Sequence, residues 1–178
     1  MLSVMQRRRA IRRYTDQPVE EEKLVQVLEA ARLAPTWANK QCWKVVVVRN
    51  HETRQALSEL SNVPESEYPA NPARKSLIAA PIVLVVCGDP RLSGVMYGKE
   101  YYLVDVGIVL DHIMLAATSL GLGTCFVGVF DEERVKQLLE IPSHIRVVGI
   151  TPLGYAERWP EARPRKDLSE LVCQEKWS

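Results

Sequence analysis

One stretch limits what this chain can fold into more than any other. From Tyr101 to Leu120 the apolar residues Val106, Ile108, Val109, Leu110, Ile113, Met114, Leu115 and Ala117 crowd together. Wound as a helix, they occupy most of its circumference. Such a helix has little polar face to offer water and needs cover on several sides. Lipid is a poor fit, because a spanning helix asks for about 20 mostly apolar residues. Here the run from Val104 to Leu122 is broken by Asp105, Asp111 and His112. The stretch reads as a buried helix of a soluble protein with no membrane partner, and it suits a subunit interface.

With 178 residues, 47% of them apolar, the chain is expected to be a single domain over residues 1–178 with a core that needs no disulfides. Charged residues make up 25%, and 23 basic residues stand against 22 acidic ones. That balance, with no helix-turn-helix, RNP or zinc-finger pattern, argues against nucleic acid as a partner. Cys42, Cys87, Cys125 and Cys173 form no CxxC pair and the three His are scattered, so no metal site is expected and the thiols read as reduced. The opening MLSVMQRRRAIRRY lacks an apolar segment after its charges. A cytoplasmic location is expected.

Glu20 to Leu33 has helical spacing (Leu24, Val27, Leu28, Ala31) and is stopped by Pro35. Trp43 to Arg49 reads as a buried strand, His51 to Leu60 as a helix, and Pro81 to Cys87 as a second strand ending in a turn at Gly88-Asp89-Pro90. Ser61 to Ser76, with three Pro, reads as a long loop, either a lid or a surface excursion. Asp131 is placed to cap a helix bearing Val135, Leu138 and Leu139, and Ile145 to Leu153 reads as a third strand. Strands separated by helices leave a parallel and an antiparallel sheet equally open.

Two basic clusters stand far apart in sequence: five Arg between Arg7 and Arg13, and Arg158, Arg163, Arg165 and Lys166 near the other end. If the first is extended, alternation sends Arg8, Ala10 and Arg12 to one face and Arg9, Ile11 and Arg13 to the other. Each cluster alone is ordinary solvated charge. Meeting in space, they would form a site for a phosphorylated cofactor, since guanidinium groups bind phosphate bidentately. Gly121-Leu122-Gly123-Thr124-Cys125-Phe126 begins like GxGxxG, but it lacks the third Gly and follows a helix, which disfavours a dinucleotide fingerprint. These glycines read better as a positive-φ helix end and a close approach. No P-loop, HExxH or GxSxG occurs, and His112 reads as a satisfied interface residue. The loop Pro35-Thr36-Trp37-Ala38-Asn39-Lys40-Gln41 carries amides suited to the edge of a planar heterocycle.

In order along the chain stand RRAIRRY from Arg8, APTWANKQCW leading into KVVVV, DVGIVL and LAATSLGLG, VGVFD from Val127, then PLGY and RPRK from Arg163. None is specific alone. Their order and spacing, from about Arg7 to Val172, resemble the nitroreductase-like family of FMN-dependent oxidoreductases. The resemblance implies an α+β fold, a central mostly antiparallel sheet flanked by helices, with the long helix in an intertwined homodimer. It implies FMN at the subunit interface, NADH or NADPH as electron donor, and ping-pong transfer to a small oxidised acceptor such as a nitroaromatic or quinone.

Position by position, the resemblance puts Arg8 and Arg9 along the phosphate and ribityl end, with Ala10 between the same arginines and Arg12, which lies near the pyrimidine edge. Arg163 and Arg165 close on the phosphate. Pro35, Thr36, Trp37, Asn39 and Gln41 belong to a wall supplied by the partner subunit. The backbone N–H groups of Val127 and Gly128 face flavin N5 and O4. No side chain is expected to be catalytic in its own right, since the flavin carries the chemistry. The chain departs from the family pattern where Ala10 replaces a frequent Ser and Cys42 a usual Pro, and where Leu110-Asp111-His112 replaces a small residue, Gln and Asn. The other classes weighed are an FMN-binding storage or sensor module and a basic interaction protein.

Overall fold

From Ile82 to Gly88 every residue is buried, and a strand's period of two sends Leu84 and Val86 to one side of the sheet and Val83, Val85 and Cys87 to the other. A strand buried on both faces needs a layer of structure over each, and the rest of the chain supplies them. The computed structural model describes residues 1–63 and 71–177. In chain order the elements are α1 (Leu2–Arg7), α2 (Glu21–Arg32), β1 (Trp43–Val48), α3 (His51–Leu60), α4 (Arg74–Ala79) and β2 (Ile82–Gly88). They continue with β3 (Val95–Met96), β4 (Lys99–Glu100), α5 (Tyr101–Ser119), β5 (Gly123–Thr124), α6 (Glu132–Leu138) and β6 (Arg146–Gly154).

The main sheet has the order β1-β2-β6-β5 and is antiparallel throughout, which closes the alternative of a parallel sheet. Over one face lie α2 and α5, which bring Leu24, Val27, Val106, Val109, Ile113 and Ala117 onto Leu84, Val86 and Leu153. Over the other lie α3, α4 and α6, which pack Leu57, Leu77 and Val135 onto Val83, Val85 and Ile150. Each such Val, Leu or Ile side chain contributes about 1.5–3 kcal/mol of burial. Asp131 accepts the Arg134 N–H and caps α6 as expected, and Asn50 caps α3 through the Thr53 N–H.

Three expectations are corrected. The strand expected to be buried, Trp43 to Arg49, is an edge strand; Lys44 is exposed and most of its neighbours are only half-buried, because β1 has a neighbour on one side alone. Of the expected loop Ser61 to Ser76, residues 64–70 lie outside the described residues, and Arg74 to Ser76 already belong to α4. The N-terminal arginine run is not extended from its start, since Arg7 ends α1. The short pieces α1, β5 and the β3–β4 hairpin carry no periodic signal. The hairpin turns at Tyr97 and Gly98, both at positive φ, as a two-residue hairpin loop requires.

Among the described residues α5 has the length and mean hydropathy (1.4) of a membrane span, yet its inner face lies in the core of the fold. Its outer face is uncovered in the single chain. Leu103 and Val104 are 46% and 52% exposed, and nothing lies within 4 Å of where a Cβ on Gly107 would sit.

Candidate functional site

The two basic clusters meet. After β6 the chain runs back along the N-terminal segment: the Thr15 N–H donates to the Tyr155 carbonyl (2.9 Å) and the Glu157 N–H to the Arg13 carbonyl (3.1 Å). The N-terminal segment is itself stitched to β5, with the Ile11 N–H on the Thr124 carbonyl at 2.8 Å. Between the two strings opens a cleft of about 680 Å³ lined by Arg8, Arg9, Ala10, Arg12, Arg163 and Arg165, with Met5, Gln6 and Pro160 to Ala162 completing it. That volume lies within the range typical of cofactor sites.

The charge of this cleft is unbalanced. Glu161 is the one acidic residue lining it, and none of the five arginines has a carboxylate partner among the described residues. Two of them are held by carbonyl oxygen: Arg9 donates to Gln6, Arg8 and Pro160, and Arg165 to Arg163 and Pro164. Carbonyls orient a guanidinium without neutralising it, so the cleft is left competent for a multivalent anion. Strict alternation of the N-terminal arginines does not hold, since Arg9 lines the same cleft as Arg8 and Arg12 while Ile11 turns inward and is buried. Arg7 instead donates to the Thr118 carbonyl in the last turn of α5, where a cation complements the helix dipole.

The second group of expected site residues lies elsewhere. Pro35, Thr36, Trp37, Asn39 and Gln41 do not line the arginine cleft; their loop packs on the first turns of α5. The Trp37 N–H donates to Asp105 Oδ1 (2.7 Å), and the Trp37 ring stacks on Tyr101 with centroids 5.2 Å apart. Gly94 makes room for that ring, since a Cβ there would sit 2.5 Å from it. Arg7 reaches residue 118 and the loop reaches residue 105 of the same helix. At 1.5 Å per residue these two points are about 20 Å apart. One chain alone does not bring the loop to the cleft.

Val127 and Gly128 follow β5. The Val127 N–H is spent on the Ile150 carbonyl (2.8 Å), which corrects the expectation that it faces a ligand; Gly128 is exposed, and its N–H has no such backbone partner among the described residues. Cys42 is buried, with Sγ 3.3 Å from Asp105 Oδ2, and burial, then that carboxylate, pushes its thiol up to about 11. It is a protonated anchor, not a reactive thiol. His112 Nδ1 lies 3.0 Å from the Ala30 carbonyl, the satisfied histidine expected. Asp105 was legible only as a break in an apolar run, as was Asp111; what separates the two is burial, since Asp105 is buried and Asp111 exposed.

Comparison with known proteins bears on this geometry. The model of the nitroreductase family matches residues 5–155. The chain is 34% identical over 182 residues to a protein of Archaeoglobus fulgidus provisionally named NADH dehydrogenase/NAD(P)H nitroreductase, covering 99% of this chain and 98% of that one. It is 30% identical over 184 residues to a Bacillus subtilis protein named FMN reductase [NAD(P)H], covering 94% of this chain and 70% of the relative. The crystal structure of a nitroreductase family protein from Clostridium difficile 630 superposes with a TM-score of 0.84 at 30% identity, covering 99% of each chain.

Proposed function

The chain belongs to the nitroreductase family, and on that premise we propose that it is an FMN-dependent NAD(P)H oxidoreductase serving a small oxidised acceptor such as a nitroaromatic or a quinone. The observation that carries this reading is the convergence of Arg8, Arg9, Arg12, Arg163 and Arg165, all without carboxylate partners among the described residues, on one cleft. These residues fit a phosphorylated group: five guanidinium groups supply the donors and charge that a phosphate and its ribityl chain require. When bound, FMN supplies the hydride and electron transfer that no side chain here can perform.

The protein's own part is to bind, orient and polarise. Arg163 and Arg165 close on the phosphate beside Arg8 and Arg9, while Arg12 reaches toward the pyrimidine edge, where its charge favours a negative ring. The Gly128 N–H, without a backbone partner among the described residues, is a donor for the other edge. Ala10 lines the cleft without the hydroxyl that a Ser would bring.

The remaining wall comes from a second copy. A two-fold axis perpendicular to α5 at its uncovered face would run the two helices antiparallel, with the first turns of one toward the last turns of the other. The Pro35–Gln41 loop of one protomer then reaches the arginine cleft of its partner. The homodimer, with FMN at its interface, is therefore part of the same proposal, as is a cytoplasmic location, where NAD(P)H is at hand.

The purified protein is tested by its visible spectrum and by anaerobic addition of NADH, then NADPH, watching the flavin band at about 450 nm. Bleaching is expected. A yellow protein that neither donor bleaches would point to a flavin-storing or sensing module, and a colourless one that also refuses added FMN would overturn the cofactor assignment.

A further inference from the structure

Asp105 lies in the second turn of α5 and is 1% exposed. No lysine or arginine pairs with it among the described residues. A buried carboxylate without a cation is tolerated only where other donors satisfy it. Here both donors come from one short loop: the Trp37 N–H reaches Oδ1 at 2.7 Å and the Cys42 thiol reaches Oδ2 at 3.3 Å.

Between those two anchors the backbone does something unusual. Ala38, Asn39 and Gln41 all take positive φ (47°, 53° and 50°), a region that L-residues other than Asn and Asp seldom occupy. Such conformations persist only where the surroundings over-determine them. Thr36 Oγ1 accepts the Gln41 N–H at 3.0 Å, and Trp37 stacks on Tyr101, one helical turn before Asp105 on the same face of α5. The carboxylate ties the first anchor to the last, across the whole left-handed stretch.

We propose that Asp105 is a positioning residue: its carboxylate clamps Trp37 to Cys42 and thereby fixes the turn that presents Asn39 and Gln41 to the flavin edge in the partner's cleft. The clamp stands on this chain's own geometry; its consequence for flavin rests on the function proposed above. Cys42 takes part as a donor, and its elevated pKa keeps the proton in place at neutral pH.

The test compares Asp105→Ala, Asp105→Asn, Cys42→Ala and Cys42→Ser in the full chain. Hydrogen exchange without added flavin reads the clamp directly. Removing a hydrogen bond to a charged acceptor is expected to speed exchange of residues 36–42 by about tenfold or more in Asp105→Ala. Strand β2 and the rest of α5 should keep their protection. Asp105→Asn, which keeps a carbonyl acceptor for the Trp37 N–H, and Cys42→Ser, which keeps a donor, should recover most of it. With FMN added, Asp105→Ala should bind about tenfold more weakly and alter the circular dichroism of the bound flavin, again with rescue by Asn.

Unchanged exchange in 36–42 overturns the clamp whether or not FMN binds. A loosened loop with unaltered flavin affinity and dichroism overturns its link to the site. Failure of the unaltered protein to bind FMN refutes the proposed function instead, and the exchange data still decide the clamp. Should Asp105→Ala not fold, Cys42→Ala and Asp105→Asn carry the comparison.

Discussion

Gly123 lies so close to Ile11 that a Cβ at position 123 would sit 2.6 Å from Ile11 Cγ1 and 2.8 Å from its Cβ. Ile11 is buried between Ala10 and Arg12, so this contact sets how deeply the arginine segment is seated against β5. Gly123→Ala must push that segment outward. We expect a loss of about 1–3 kcal/mol, the usual cost of overpacking, measured by chemical denaturation. Weaker FMN retention should accompany it. Unchanged stability and retention would mean that the segment yields freely and does not set the cleft.

The arginine cleft predicts a graded response. Arg163→Ala or Arg165→Ala should each weaken FMN binding by about 10- to 100-fold, the worth of a charge-assisted hydrogen bond. Arg12→Ala should lower flavin affinity and reduction potential together. Arg158→Ala, outside the cleft, should change neither. Fluorescence titration and redox titration read both quantities, and equal losses at Arg158 and Arg163 would reduce the cleft to general surface charge.

Much of this fold was legible because its main elements are periodic. The helical spacing of Leu24, Val27, Leu28 and Ala31 and the apolar run through β2 announce themselves locally. Gly121 was legible as a helix stop, and it does take φ +78°. What local patterns cannot carry is pairing. The direction of the strands, the edge position of β1 and the meeting of Arg8 with Arg163 depend on contacts between residues far apart in sequence; the family resemblance supplied the first and the last, and only the structure supplies the edge position. The Val127 N–H is the same kind of case: its partner, Ile150, is fixed by sheet topology that no motif around Val127 records.

The uncovered face of α5 gives a test of assembly. Val104→Lys places a charge where Leu103, Val104 and Gly107 face outward. It should leave the protomer's helical circular dichroism intact, shift sedimentation from dimer to monomer, and release FMN, since the Pro35–Gln41 loop then no longer reaches a cleft. Gly107→Ala adds a methyl that touches nothing in its own chain. In a free protomer it should stabilise the helix by about 0.5–1 kcal/mol. A dimer that persists with full flavin occupancy in Val104→Lys would move the interface elsewhere.

Glu132 and Arg146 predict how stability follows pH. Glu132 sits at the start of α6 and accepts from Arg146 at 2.8 and 3.0 Å and from the Val147 N–H at 2.9 Å, tying the helix to β6. Burial alone would raise its pKa; the Arg146 guanidinium and the Val147 N–H outweigh that and hold it below 4.5, its ordinary value. A carboxylate with a depressed folded pKa contributes stability that is fully present above its unfolded pKa and is lost as pH falls through the folded one. Glu132→Gln should therefore cost about 1 kcal/mol at pH 7, a modest figure because Arg146 is half-exposed and water screens the pair. The difference from the unaltered protein should shrink as the pH falls from 4.5 through the lowered folded pKa. Urea denaturation at both ends of that range is the measurement, and a difference that stays constant with pH would mean the carboxylate's charge contributes nothing to the α6–β6 contact.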